Sequence, residues 1–124
     1  MTAFDYNLTT GDVANPHPAV IVPAELGWPD SMTTDSEGML WVAMWGGASL
    51  TRWNPSTGQL LEAIPIPALN VTSCAFGGQG LTDLHVTSAR KGMSMEQLVD
   101  YPLSGGLFRI QTNTRGLATF EFGG

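Results

Sequence analysis

With 124 residues, 43% of them hydrophobic and 13% charged, the chain has the size and composition of one globular domain spanning 1-124. Five Lys and Arg against eleven Asp and Glu give a formal net charge of -6, which excludes a basic stripe for nucleic acid and a cationic patch for anionic lipid. Fifteen glycines and eight prolines spread over the whole length favour short strands joined by tight turns, so an all-β fold is expected.

The opening Met1-Thr2-Ala3-Phe4-Asp5-Tyr6 lacks the basic segment and apolar stretch of a secretory leader, and no run approaches the roughly 20 apolar residues of a membrane span. A soluble, cytoplasmic protein without membrane or nucleic-acid partners is expected. Tyr6-Asn7-Leu8-Thr9-Thr10-Gly11 reads as a strand running into a polar hairpin turn. Asn7-Leu8-Thr9 and Asn70-Val71-Thr72 fit the glycosylation pattern, but without a leader they read as chance matches. His17, between two prolines, is expected in a loop.

Asp35-Ser36-Glu37-Gly38 forms a turn before the strand Leu40-Trp41-Val42-Ala43. The next strand, Leu50-Thr51-Arg52-Trp53, runs into Asn54-Pro55-Ser56-Thr57-Gly58, and Leu60-Leu61-Glu62-Ala63-Ile64 returns from it. Gly77-Gly78-Gln79-Gly80 then precedes Leu84-His85-Val86-Thr87; it lies between two strands and is a turn, not a phosphate loop. Ser94 to Asp100 reads as a short helix, with Ser94 as its N-cap, Gln97 three residues on and Pro102 beyond its end. Leu107-Phe108-Arg109-Ile110, running to Arg115-Gly116, is a further strand and turn.

These elements repeat. The strand and turn starting at Tyr6 recur at Trp53, 47 positions on, and more weakly from Leu107, which echoes Leu50 at 57. The turn and strand at Leu40 recur at Leu84, 44 positions on. Each unit holds four short strands, and four-stranded units recurring every 40 to 50 residues or so are the pattern of propeller blades. The alternative is a β-sandwich. The expected fold is a partial β-propeller of about two and a half to three four-stranded antiparallel blades.

Pro29-Asp30-Ser31-Met32-Thr33-Thr34-Asp35-Ser36-Glu37-Gly38-Met39-Leu40-Trp41-Val42-Ala43 is similar to the P-D-G-x-x-x-D-x-x-G-x-L-W-V-A signature of the SMP-30/gluconolactonase/regucalcin family. The likeness continues in order through Arg52 to Gly58, Thr72 to Gly78, Leu84 to Arg90 and Gly105 to Phe108. It departs at Ser31, where the family has Gly. The resemblance implies the C-terminal half of a six-bladed propeller that hydrolyses sugar lactones with a divalent metal, calcium first, zinc or manganese as alternatives. In the family a Glu, an Asn and the Asp of the P-D-G motif hold that metal. Only the Asp maps onto this chain, as Asp30, which the resemblance makes both metal ligand and catalytic carboxylate; a turn aspartate is the competing reading.

Arg90, after the strand ending at Ala89, is the candidate substrate-binding residue, with a surface ion pair as its alternative. Asp35 and Glu37 read as a solvated turn without a chemical role. Cys74, the only cysteine, excludes an intrachain disulfide; 44 positions after Asp30, it is expected at the equivalent place in the next unit, as a buried small side chain. His17 and His85 have no second ligand at metal-binding spacing, and Trp41, Trp45 and Trp53 are expected to pack between blades. A lone carboxylate cannot satisfy calcium, which takes about six to eight oxygens. The lactonase expectation therefore includes a completing partner, either a second copy in a homodimer or a separate half-propeller. The alternative is a non-catalytic, self-associating structural or binding module.

Overall fold

The computed structural model describes residues 1–120 and Gly123. Among the described residues nine strands form three antiparallel sheets. Strands β1 (Thr2–Tyr6) and β2 (Val13–Pro18) make a half blade. A full blade follows in the order β3 (Trp28–Thr34), β4 (Leu40–Trp45), β5 (Ser49–Trp53) and β6 (Leu60–Pro65). The last blade has three strands, β7 (Asn70–Gly77), β8 (Asp83–Ala89) and β9 (Leu107–Gln111). The antiparallel propeller-blade architecture is as the repeats predict, with the full set of four strands in the middle blade alone among the described residues.

The hairpin repeat is the same at atomic level in its first two copies. Asn7 accepts the backbone N–H groups of Thr9 and Thr10 on its side-chain oxygen, and Asn54 accepts those of Ser56 and Thr57. In each turn the glycine N–H, of Gly11 or Gly58, closes back on the asparagine carbonyl. Both glycines have positive φ, 78° and 72°, which explains why Gly ends both copies. The third copy does not form this turn. After β9 the chain folds over the β7–β8 turn of its own blade, where the Gly116 N–H donates to the Leu81 carbonyl, and reaches the middle blade, where the Arg115 carbonyl accepts the Ser36 N–H and Gly116 bridges to Asp35.

Strand β4 explains how the blades adhere. Its side chains alternate between two faces, and both faces are buried. Trp41 and Ala43 join Leu50, Val71, Cys74, Leu84 and Val86 in the core between the middle and last blades. Val42 and Met44 join Val20 and Trp53 in the core facing the half blade. A continuous apolar run where a solvated strand would alternate is the sequence mark of that double burial.

The helix α1 (Met95–Asp100) starts where expected. Ser94 accepts the Gln97 N–H and the Gln97 side chain accepts the Ser94 N–H, a complete capping box. His17 departs from expectation: it lies in β2, not in a loop, with its Nδ1 2.8 Å from the Asn15 carbonyl. Its two proline neighbours are tolerated because β2 is an edge strand, where a missing N–H leaves no ladder bond unmade.

Candidate functional site

Strand β3 begins at Trp28 and is bulged. Pro29 pairs with Met44 and Met32 with Val42, so Asp30 and Ser31 together oppose Ala43. A bulge of this kind re-aims side chains out of the regular alternation, and Asp30 is exposed. Its carboxylate takes no side-chain hydrogen bond or ion pair among the described residues. It lines a cleft of about 310 Å³ with Met1, Thr2, Pro29, Met32 and Val42.

The same irregularity recurs in β7, where Val71 pairs with Ser88 and Ser73 with Thr87. Cys74 pairs with Val86 as Met32 pairs with Val42, which makes Cys74 the counterpart of Met32 and Thr72 the counterpart of Asp30. The expected equivalence of Cys74 and Asp30 is thus corrected by two positions. The sheet ladder counts 44 residues between β4 and β8 but 42 between β3 and β7, because the intervening turn is two residues longer in the second unit: Thr34 pairs with Leu40, Phe76 with Leu84. Cys74 lies in the core between blades, as its burial reading expected, with its thiol 3.4 Å from the Trp41 carbonyl. Burial pushes its pKa up to about 12, so it is inert as a nucleophile at neutral pH.

Arg90 is exposed directly after β8. Since Asn70 pairs with Ala89 as Trp28 pairs with Trp45, Arg90 leaves its blade at the end where β3 enters, two residues before Asp30. Its aliphatic stem lies against Gly105, and it joins no ion pair among the described residues. No described side-chain bond links Arg90 to Asp30. No cluster of three or more His, Cys, Asp or Glu side chains suited to hold a metal occurs among the described residues. Asp30 therefore fits a divalent cation as one ligand and not as a site.

Asp35 overturns the reading of a solvated turn. It is fully buried, at 0% exposure, and its carboxylate is saturated with donors. One oxygen accepts the Glu37 and Met39 N–H groups at 2.9 and 3.0 Å; the other accepts Trp41 Nε1 at 3.0 Å and Arg52 Nε at 2.8 Å. Burial alone would raise its pKa, but these donors outweigh it and hold the carboxyl below the usual range. Burial likewise pushes Arg52 down, yet Glu37 and Asp35 hold its pKa above the ordinary value. Glu37 stays exposed at the rim as the second partner of Arg52. The cluster is a structural tie and not a chemical site.

Sequence reasoning passed over a second groove, where Trp28 and Trp45 meet Asn70, Lys91 and Gln97. Trp28 escaped notice because it sits outside the repeats, and Trp45 because tryptophans in β-rich units usually pack. Trp41 and Trp53 do pack, at 1% and 2% exposure. Trp45 is only half-buried.

The family model described as SMP-30/Gluconolactonase/LRE-like region matches residues 1–90. Human regucalcin is 39% identical over 123 residues, covering 98% of this chain and 41% of that protein. YvrE of Bacillus subtilis (strain 168), whose name places it provisionally among the sugar lactone lactonases, is also 39% identical, over 121 residues, with the same coverage. Among solved structures, a luciferin-regenerating enzyme superposes with a TM-score of 0.81 at 32% identity, over 94% of this chain and 39% of that one. A regucalcin from Agrobacterium tumefaciens gives 0.84 at 24% identity over the same shares, a likeness of fold. The chain thus spans about two fifths of the length of these relatives.

Proposed function

The chain belongs to the SMP-30/gluconolactonase/LRE-like family, and on that basis we propose that it takes part in the metal-dependent hydrolysis of sugar lactones, with Asp30 as its contribution to the metal site. The observation that carries this reading is the state of Asp30: an exposed carboxylate, turned out by a bulge, with no protein partner among the described residues. A turn aspartate serving structure would spend its oxygens on backbone donors, as Asp35 does. When bound, a divalent cation, calcium first by the likeness to regucalcin, supplies an electrophile for the lactone carbonyl. Asp30 would accept the proton of the attacking water, and Arg90, at the same end of its blade, would hold the sugar. The remaining ligands come from a second copy of the chain or from a half-propeller outside it. Lactone hydrolysis with calcium, zinc or manganese supplied tests the proposal; turnover no greater than that of Asp30→Ala would refute it.

A second reading is favoured by the solitude of Asp30 among metal-binding side chains: a non-catalytic module that associates through its open blade faces. Light scattering with and without calcium distinguishes the two. Assembly tightened by calcium supports the metal site, and assembly indifferent to calcium supports the module.

A further inference from the structure

Where the middle and last blades meet, a groove of about 360 Å³ opens beside Trp28, Trp45, Asn70, Lys91 and Gln97. Trp28 and Trp45 are directly paired across β3 and β4, so both indoles stand on one face of the sheet. Trp28 is 76% exposed. Such an indole contributes little to a core, and at the mouth of a mixed polar and apolar groove it offers a flat, electron-rich face to a ligand.

Both walls are held in place. Gly27 and Gly47 approach so closely that a Cβ on either would collide with the backbone, of Trp45 in the first case and Leu26 in the second. This locks the short 3-10 turn Ala24–Leu26 onto the β4–β5 hairpin and fixes where Trp28 emerges. Opposite, the buried Asn70 side chain donates to the Lys91 carbonyl at 3.2 Å, and the capping box anchors the helix that carries Gln97. The groove thus brings an aromatic platform, an amide and an ammonium together in a chain with only five Lys and Arg.

We propose that this groove binds a polyhydroxylated sugar acid. The C–H edges of the sugar lie on Trp28, its hydroxyls accept from Gln97 Nε2, the end of that amide not used in the capping box, and its carboxylate meets the Lys91 ammonium. This rests on the lactonase reading, since opening a sugar lactone yields a polyhydroxylated carboxylate, and it names the groove that retains the product.

Saturation-transfer NMR titrations of the whole chain with gluconate and with glucose, both in EDTA, test the assignment. Gluconate is expected to bind more tightly than glucose. Trp28→Ala should weaken gluconate about threefold to tenfold, Lys91→Gln should remove the preference over glucose, and Asp30→Ala should change neither. Equal binding of the two sugars, gluconate binding unchanged by Trp28→Ala or abolished by Asp30→Ala, or no binding to the unaltered chain would each overturn it. Lactone turnover without Trp28-dependent binding removes this groove alone; Trp28-dependent binding without turnover removes the hydrolase reading and keeps the groove.

Discussion

Asp35 and Arg52, 17 positions apart, form the ion pair that ties the β3–β4 turn to β5, with Nη2 of Arg52 2.7 Å from the Asp35 carboxylate and both side chains largely out of water. The Arg52 guanidinium also lies over Trp41, 5.7 Å from the ring. Removing the Asp35 carboxylate leaves Arg52 with Glu37 alone and strips the acceptor from Trp41 Nε1 and from the Glu37 and Met39 N–H groups, and each buried donor left unsatisfied costs about 1–3 kcal/mol. Asp35→Ala should therefore lower the denaturant midpoint sharply, whereas Glu37→Ala, at the exposed end of the same cluster, should move it only slightly. Comparable shifts for the two would show that the tie lies elsewhere.

The depressed pKa of Asp35 gives the fold an acid limit. A carboxyl whose folded-state pKa lies below its unfolded value of about 4 contributes stability that is present above that value. The contribution is lost as pH falls through the lower folded-state value. Thermal melts between pH 5 and 2 should show this loss in the native sequence, and Asp35→Asn, less stable at neutral pH, should show a smaller drop over the same range. Parallel pH profiles would count against Asp35 as the source.

Cys74 should be silent to thiol reagents in the folded protein. Its thiol is buried at 5% exposure and its pKa is raised to about 12, so thiolate is scarce at neutral pH and access is closed. Alkylation followed by mass spectrometry should show modification only as fast as the chain unfolds, and denaturant should accelerate it in step with loss of structure. Rapid labelling of the native protein would contradict the packing between the middle and last blades.

The turn repeat predicts matched effects at sites 47 positions apart. Gly11 and Gly58 share a left-handed backbone, so replacement by Ala strains each by about 1–2 kcal/mol. The two losses should be similar, because a Cβ at Gly58 would meet the Ala19 carbonyl only at an ordinary contact distance of 3.4 Å and one at Gly11 would face open space. A markedly larger melting-temperature loss at either site would show that more than the left-handed backbone is at stake there.

The blade pattern was legible because turn chemistry is local: Asn7 and Asn54 each bond residues two and three ahead, and Ser94 caps its helix through Gln97. The family signature placed Asp30 as the residue to examine, and the bulge that exposes it spans only its neighbours. Asp35 was misread because what buries it is remote. Arg115 accepts the Ser36 N–H from 79 positions away, and Gly116 covers the turn, which no window around Asp35 reveals.

By itself the sequence determined the all-β character, most of the strands, the two Asn-to-Gly turns and the capped helix, since these follow from side-chain alternation, positive-φ glycines and short-range hydrogen bonds, and the Pro29 to Ala43 signature carried the family. Tertiary structure alone decided that Asp35 is buried and tied, that Thr72 and not Cys74 is the counterpart of Asp30, and that Trp28 stands free beside Lys91. Each of these depends on how sheets stack and where a bulge falls. The contacts that settle them join residues distant in the chain, so their energies have no local signature.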